Sequence, residues 1–314
     1  MKLQQLRCLT EVARRGLNVS EAAEALHTSQ PGVSKQIRAL EDELGVQVFV
    51  RHGKRLVSVT EPGKAVVAIA ERILAEAQNL RRAGDEFAND QLGTLTIAAT
   101  HTQARYALPK AVAAFKRRYP KVELRIQQGN PTQICDQVIA GEADMAVATE
   151  MISSTEGMVS LPVYQWNRCV VVPPKHPLLR HSPLTLEKLA EYPIVTYDIA
   201  FANRSLVQKA FESRGLKPHV VLSAQDSDVI KTYVELGLGV GILAKMAFDP
   251  KRDATLRAID ASHLFESSTT HLGLKRGAYL RRYAYEFIEQ FAPHLPRATV
   301  ERTVKGEEGS RYVL

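Results

Sequence analysis

The sequence predicts a small helical N-terminal domain with a β-hairpin, one long helix, and a larger two-lobed α/β domain. Three observations favour this fold class. Residues 1–60 combine helical spacing of apolar residues with two short β-rich runs, residues 61–90 carry a heptad pattern, and residues 91–295 alternate strand and helix patterns. A chain of 314 residues is long enough for two or three domains with substantial cores.

The N-terminal domain is predicted to contain three helices. Residues 2–15 form a supporting helix with leucines at helical spacing. Asn18, with Glu21 three residues later, is a capping pair for the second helix, and Ser29 can cap the third, which stops at Gly45. The third helix has a predicted buried stripe at spacings of 4, 3 and 4, namely Val33, Ile37, Leu40 and Leu44.

The opposite face of the third helix is polar and rich in hydrogen-bond donors. Groups of this kind bind base edges and phosphates when a helix enters the major groove. The alternative is an ordinary helical hairpin with a solvated polar face, which is a common motif. The candidate DNA-binding residues of this helix and its cap are Ser29, Gln30, Gly32, Ser34, Lys35 and Arg38.

A basic β-hairpin follows the third helix and favours the DNA-binding interpretation. Residues 46–50 and 55–59 are two β-rich runs. Arg51, Lys54 and Arg55 lie at or beside the tip between them. A recognition helix followed by a basic hairpin is a winged helix-turn-helix, so these three cations join the candidate DNA-binding residues.

This region resembles a known family. The stretch TSQPGVSKQIRALEDELGVQVFVRHGKRLVSVTEPG is similar to the N-terminal signature of the LysR-type transcriptional regulators. The resemblance implies binding to double-stranded promoter DNA. It also implies that RNA polymerase is a candidate further partner.

Composition and charge set broader limits. Hydrophobic residues at 45% and charged residues at 24% are ordinary for a soluble protein, and no run of eighteen apolar residues occurs. The polar N-terminus lacks the character of a signal peptide, so we expect a cytoplasmic protein that does not span a membrane. The net charge is +7, yet residues 1–92 contain 13 Lys and Arg against 12 Asp and Glu. Local placement of cations, rather than net charge, therefore indicates the DNA-binding surface.

Residues 61–90 are predicted to form one long linker helix. Its apolar and small residues recur at spacings of 4 and 3 for three heptads, at Val66, Ala70, Ile73, Ala77, Leu80, Gly84 and Phe87. A lone amphipathic helix that lies on its own domain is the alternative. The preferred interpretation, which the resemblance also implies, is an antiparallel dimerisation helix. A dimer would bind paired half-sites.

Residues 91–295 are predicted to form two α/β lobes with a ligand cleft between them. The family resemblance implies the same architecture, that of type 2 periplasmic binding proteins. Residues 271–275 are expected to return to the first lobe, and residues 296–314 to form a disordered tail. Predicted strands are 94–99, 122–127, 143–149, 168–172, 194–197, 220–222, 240–243 and 271–275, and predicted helices are 106–119, 131–140, 184–190, 204–214, 228–236 and 279–291.

The clearest candidate for a ligand site follows the first strand of this domain. Thr100, Thr102 and Gln103 stand between that strand and its helix, where neutral donors and a helix N-terminus suit a small anion. Simple helix capping by a threonine is the alternative. Thr149 ends the third strand, and Ala202 with Asn203 begins a helix of the other lobe, so the three segments are expected to converge.

The resemblance extends along nearly the whole chain to the branch of the family that regulates sulfur metabolism. It is carried by AATHTQARYALP, YDIAF, DSDVIKTYVELGLGVGILA and HLFESSTTHLGLKRGAYLRRYAYEFIEQFAPHL. This similarity implies that Thr100, Thr102, Gln103 and Thr149 hold an anionic inducer such as N-acetylserine or its surrogate sulfate. Ala202 departs from the pattern, which has a ligand-binding threonine there. O-acetylserine, thiosulfate and adenylyl sulfate therefore remain candidates.

No catalytic residue, metal site or cofactor is predicted. The chain lacks the nucleophile elbow, the P-loop and the common metal-binding motifs, and His101 has no carboxylate beside it in the sequence. Trp166 is expected to wall the cleft or to lie in the core. The resemblance implies a regulator of sulfur assimilation that assembles as a dimer of dimers. Alternatives are a regulator of sulfonate and sulfate-starvation genes that senses adenylyl sulfate or sulfate, and a stand-alone solute-binding protein.

Overall fold

The structure is a computed structural model that describes residues 1–53, 55–88, 92–149, 152–198 and 206–307. The chain divides into two compact units, Met1–Phe87 and Ala88–Leu314. Among the described residues, no helix is long and apolar enough to cross a membrane.

The first unit contains the three predicted helices and the hairpin. Asn18 Oδ1 accepts hydrogen bonds from the backbone of Ser20 and Glu21, Ser29 Oγ accepts one from Gly32, and Gly45 ends the third helix in the left-handed conformation. Both predicted caps are therefore present. The elements are α1 (Leu3–Arg14), α2 (Val19–Ala25), α3 (Gln30–Leu44), β1 (Phe49–His52) and β2 (Arg55–Val59).

The apolar stripe of α3 is buried for three of its four predicted residues. Val33, Ile37 and Leu40 lie in one core with α1 and α2. Leu44 was predicted wrongly, because it is the last residue of α3 and is 41% exposed beyond the edge of that core. The strand β1 is also shorter than predicted and begins at Phe49 rather than at Val46.

A single helix, α4 (Glu61–Ala88), follows the hairpin. In its first half, Val66, Ala70 and Ile73 pack against the core of the first unit. In its second half, Leu80 is 75% exposed and Phe87 is 89% exposed. An amphipathic helix on its own domain thus accounts for the first half of the heptad pattern only. Dimerisation through the second half stays a prediction.

The second unit contains two five-stranded sheets, one in each lobe. The sheet of the first lobe has the order β4-β3-β5-β12-β6, and that of the second lobe has the order β11-β7-β10-β8-β9. The strands are β3 (Gly93–Ala99), β4 (Val122–Gln128), β5 (Met145–Ala148), β6 (Met158–Trp166), β7 (Arg168–Val172), β8 (Ile194–Tyr197), β9 (Val220–Ala224), β10 (Val240–Ala244), β11 (Arg257–Asp260) and β12 (Ser268–Lys275).

Helices cover the sheets of the second unit. Residues 101–102 are already helical and a π-helical turn, Gln103–Ala107, leads into the first of these helices. The helical segment therefore begins earlier than the predicted residue 106, and its regular α-helical part begins at Leu108. The helices are α5 (Leu108–Arg118), α6 (Pro131–Ala140), α7 (Leu186–Ala190), α8 (Leu206–Glu212), α9 (Ser227–Glu235), α10 (Arg282–Phe291) and α11 (Arg297–Lys305).

The chain passes between the lobes twice. It leaves the first lobe at Asn167, between β6 and β7, and returns through residues 261–267, between β11 and β12. The predicted return of residues 271–275 to the first lobe is therefore confirmed. Strands β6 and β11 were missed. Pro162 breaks the strand pattern of β6, and this proline is tolerated because β6 lies at the edge of its sheet.

The predicted disordered tail is wrong for residues 297–305, which form α11. Val300 and Val304 are four residues apart and buried against the core of the first lobe, and Gly306 ends the helix. The polar composition of the segment concealed this narrow apolar stripe. Residues 308–314 lie outside the described part of the chain.

Close packing at the start of α4 gives a first testable prediction. A Cβ at Gly63 would lie 2.2 Å from the backbone oxygen of Val48, so Gly63→Ala should destabilise the first unit by roughly 1–3 kcal/mol. Gly84→Ala in the same helix meets no atom within 4 Å and should be neutral or stabilise by about 0.5–1 kcal/mol. Hydrogen exchange of α3 amides in the full chain measures both. Equal exchange in the two variants would contradict the close contact.

Candidate functional site

The recognition helix α3 presents the predicted DNA-binding residues on its accessible side. Ser29, Gln30, Lys35 and Arg38 are exposed, whereas Gly32 and Ser34 are half-buried. All six lie away from the buried stripe of α3. The arrangement leaves the donor groups of this face available to a groove, and their contact with DNA stays a prediction.

A buried carboxylate joins α3 to the wing, which the sequence did not reveal. Glu41 is 4% exposed, and its Oε1 accepts hydrogen bonds from the backbone of Val48 at 2.8 Å and Phe49 at 3.2 Å. Its Oε2 forms an ion pair of 2.5 Å with Nη2 of Arg51. Glu41 therefore holds the start of β1, and its charge does not face the groove side of α3.

This ion pair gives Arg51 a different role from the other predicted cations of the wing. The Arg51 side chain is engaged by Glu41 and is only 23% exposed, so it is placed to hold the wing in position. Arg55 is exposed at the start of β2, beside the turn at Gly53. Lys54 lies outside the described residues. Of the described pair, Arg55 has the better position for a phosphate contact.

In the second unit, a cleft of about 460 Å³ lies between the two lobes. Four of the six predicted ligand-binding residues line it, namely Thr100, Thr102, Gln103 and Thr149. Ala202 and Asn203 lie outside the described residues. The predicted convergence of the first two segments is thus present in the structure, and ligand binding by these residues stays a prediction.

Strand pairing in the first lobe explains the convergence. β3 runs parallel to β4 and β5, and Ala99 stands opposite both Gln128 and Val147. The carboxyl ends of the three strands therefore meet at one edge. The next residues of all three strands line the cleft, including Thr100, Gly129 and Thr149.

Two helix N-termini face this edge of the first lobe. The helical segment that contains the π-helical turn begins at His101, and α6 begins at Pro131 with a capping box between Asn130 and Gln133. The first N–H groups of a helix favour an anion. Gln103 is 1% exposed, and its Oε1 accepts a hydrogen bond from the Tyr164 hydroxyl, which leaves its amide NH₂ as the donor group. The contribution of residues 128–133 was missed because it depends on the parallel pairing.

Trp166 and Arg168 line the cleft at the first crossover. The guanidinium of Arg168 lies over the Trp166 indole at 5.0 Å from the ring centroid. It donates hydrogen bonds to the backbone oxygen of Glu266 at 3.2 Å and to Ser268 Oγ at 3.0 Å. Arg168 therefore ties the two crossovers together at the cleft. The place of Arg168 in the cleft was not predicted, because this residue begins a run of buried strand residues.

His101 has a carboxylate partner that its neighbours in the sequence did not show. Its Nε2 lies 2.9 Å from Oδ2 of Asp226, across the cleft in the second lobe. These atoms and Asp228 form a group whose possible ligand atoms lie within 4.8 Å of one another. Asp228 is already bonded to Arg105, Lys231 and the hydroxyl of Tyr106. We assign no metal to this group, because two cations already neutralise that carboxylate.

Family comparisons agree with this arrangement. Residues 3–64 match the model of the bacterial regulatory helix-turn-helix protein, lysR family, and residues 88–296 match the LysR substrate binding domain. The chain belongs to the LysR family. Members of this family similar to this chain are named as transcriptional regulators and not as enzymes. The helix-turn-helix match also leaves the stand-alone solute-binding protein without support.

Similar regulators match this LysR-family chain over nearly its full length. CysB of Burkholderia cenocepacia is 56% identical over 310 residues, which cover 99% of this chain and 99% of that protein. SsuR of the same organism is 54% identical and covers 96% of this chain and 97% of its own length. The regulator cbl of Escherichia coli is 48% identical, with coverage of 97% and 96%.

Solved structures of the family share the architecture. The cofactor-binding domain of the Cbl transcriptional regulator is 44% identical with a TM-score of 0.66, and the match covers 69% of this chain and 95% of that domain. A full-length OxyR variant from Pseudomonas aeruginosa has a TM-score of 0.64 at 22% identity, with coverage of 93% and 94%, and shows the fold alone. The LysR-family fold is therefore a winged helix-turn-helix, a linker helix and a two-lobed α/β domain.

The contrast between Arg51 and Arg55 can be tested by salt dependence. Each lost phosphate contact lowers the slope of log affinity against log salt by about one, so Arg55→Ala should lower it by that amount. Arg51→Met should leave the slope unchanged and destabilise the first unit, because it leaves Glu41 buried without its cation. Fluorescence anisotropy with a duplex selected in vitro by the wild-type chain gives the slopes. A lower slope for Arg51→Met would make Arg51 a phosphate contact.

Proposed function

We propose that this chain is a CysB-like transcriptional regulator of sulfur assimilation and cysteine biosynthesis that works in the cytoplasm. Its signal is a small anionic metabolite bound in the cleft of the second unit. The observation that carries this proposal is the convergence of Thr100, Thr102, Gln103 and Thr149 at one cleft. Identity of 56% to a regulator named CysB over nearly the full chain supports the sulfur role.

The chemistry of the cleft favours an anion. Hydroxyl and amide donors stand beside two helix N-termini, and Arg168 adds a positive charge at the crossover. A cleft of about 460 Å³ is far larger than a lone sulfate ion needs. The preferred inducer therefore carries its anionic group on a larger body, as N-acetylserine and O-acetylserine do. Inorganic sulfate would occupy only the anionic part.

A second candidate function is a Cbl-like regulator of sulfonate and sulfate-starvation genes that senses adenylyl sulfate or sulfate. Identity of 48% to the regulator cbl and of 54% to SsuR favours it. Ala202 replaces a threonine of the CysB pattern, so the hydroxyl donor that the resemblance implies at this position is missing from the sequence. The two candidates differ in the metabolite that they bind.

The mechanism that we propose is a population shift. The inducer binds one arrangement of the two lobes preferentially, and its differential affinity sets how far the equilibrium moves. Two winged dimers joined through their effector domains would present four recognition helices to paired half-sites. The induced arrangement then changes how these dimers sit on the promoter and how RNA polymerase is contacted.

The first test concerns the ligand. A thermal-shift panel of N-acetylserine, O-acetylserine, sulfate, thiosulfate and adenylyl sulfate should identify one metabolite that stabilises the full chain, by about 2.7 kcal/mol at 100 times its Kd. Thr100→Ala combined with Thr102→Ala should remove that stabilisation, because two donors to the anion are lost. DNA affinity without inducer should not change. Unaltered stabilisation in the double variant would exclude the proposed site.

The second test concerns DNA. Lys35→Ala and Arg38→Ala remove exposed cations of α3 and should abolish binding to the selected duplex, while stabilisation by the inducer remains. The matched control is Lys188→Gln, which removes one positive charge at an exposed position on α7 in the second unit. This variant should preserve DNA binding. Loss of inducer response together with DNA binding would instead indicate a structural role for the α3 residues.

A further inference from the structure

The segment that supplies the effector-binding residues also contacts the second lobe. Thr102 Oγ1 lies 3.3 Å from Ser227 Oγ, at the first residue of α9. Tyr106 lies four residues after Thr102, and its hydroxyl donates a hydrogen bond of 2.7 Å to Asp228 Oδ1. Arg105 Nε forms an ion pair of 2.5 Å with the other oxygen of that carboxylate. One short segment therefore faces the cleft and bridges the two lobes.

A buried lysine fixes the second-lobe side of this bridge. Lys231 is 8% exposed and donates hydrogen bonds to the Tyr106 hydroxyl at 3.2 Å and to Asp253 Oδ1 at 2.9 Å. It also donates to the backbone oxygen of Ala247 at 3.0 Å. We call Arg105, Tyr106, Asp228 and Lys231 the interlobe clasp. Its second-lobe half is rigidly held, so it can restrain the residues of the first lobe.

Protonation does not explain a change in the clasp near neutral pH. Burial alone would raise the pKa of Asp228, but its hydrogen bonds with Tyr106 and Lys231 outweigh burial and lower the pKa. Burial alone would lower the pKa of Lys231, but its hydrogen bonds to Asp253, Asp228 and Tyr106 outweigh burial and raise it. Both groups remain charged at neutral pH. The clasp must therefore respond to movement of the groups that it joins.

The π-helical turn provides a short mechanical connection. Gln103 is its first residue, and Arg105 and Tyr106 stand within it. Single π-helical turns often occur at functional sites. None of the clasp residues is among the described residues that line the cleft. The clasp therefore reaches the cleft by two short connections, the π-helical turn and Asp226, whose Oδ1 accepts a hydrogen bond of 2.6 Å from the backbone of Asp228.

We propose that Tyr106 and Asp228 are positioning residues for effector binding: the interlobe clasp holds the π-helical turn so that Thr102 and Gln103 can receive the effector. This inference rests on the proposed function for the identity of the effector. By reciprocity, an effector that fits this geometry favours the clasped arrangement of the lobes by the same factor. The clasp would then carry the binding signal to α9.

A clasp with a purely structural role would affect stability but not effector affinity. In that case, its loss would lower the free energy of unfolding and leave effector affinity unchanged below the unfolding temperature. A positioning clasp must lower effector affinity although its residues do not line the cleft. The Kd at a temperature where every variant is folded therefore separates the two roles.

The test compares Tyr106→Phe and Asp228→Asn in the full-length chain with Asp260→Asn. Asp260 forms an ion pair of 2.8 Å with Lys245, but both residues belong to the second lobe, so this variant removes a similar pair without affecting the clasp. Calorimetry gives the Kd for N-acetylserine and for inorganic sulfate. We expect Asp228→Asn to raise Kd by about 5- to 50-fold and Tyr106→Phe to raise it less. Asp260→Asn should match the wild type.

The double variant and hydrogen exchange complete the test. If the two residues act as one unit, Tyr106→Phe adds little to Asp228→Asn. Without ligand, amides of residues 102–107 should exchange faster in Asp228→Asn than in Asp260→Asn. If the wild type binds a probe and both clasp variants bind it with the same Kd, the positioning role is overturned. If the wild type binds neither probe, the inducer assignment fails, and the exchange rates alone decide whether the clasp holds the turn.

Discussion

Parallel pairing of β3 with β4 and β5 places the polar groups of the first lobe at one edge. Because Ala99 stands opposite Gln128 and Val147, the residues that follow these strands must share the same space. The second lobe repeats the arrangement, since β8 runs parallel to β9 and β10 and Tyr197 stands opposite Ala224. Each lobe thus directs the ends of its parallel strands toward the cleft. The proposed anion site depends on this pairing, and a register shift would separate its residues.

Three contacts of charged side chains are among those that restrain the two lobes around that cleft, beside the contact of Thr102 with Ser227. Arg168 ties the crossovers, His101 pairs with Asp226, and the interlobe clasp joins the π-helical turn to α9. Ion pairs of this kind contribute little at an exposed surface and more where they are partly buried. Lys231 and Asp253 are mostly buried, so the clasp has the most rigid foundation of the three. A ligand that changes the first lobe near residues 100–103 therefore acts where the lobes are already joined.

Local patterns in the sequence predicted local structure. They could not predict contacts between residues that are far apart in the chain. The capping pair at Asn130 and Gln133 accompanies α6, whose predicted limits match the observed helix. Threonines after a strand led in the same way to the predicted anion site, which stays a prediction. Tyr106 and Asp228 are 122 residues apart, and Arg168 and Glu266 are 98 apart, so no periodicity connects them. Glu41 is a further example, because its partners Val48, Phe49 and Arg51 belong to the wing and the helical pattern of α3 does not connect it to them.

The second half of α4 exposes apolar side chains that the predicted partner helix would cover. Leu80 and Phe87 expose large apolar side chains on the same heptad seam that packs inward at Ala70. Full burial of such side chains contributes about 1.5–3 kcal/mol each, so a partner helix on this seam would be stabilised from both copies. A second copy would also add a second α3, and two recognition helices tie DNA affinity to their spacing. An effector could then alter promoter binding through that spacing without touching α3, the predicted recognition helix.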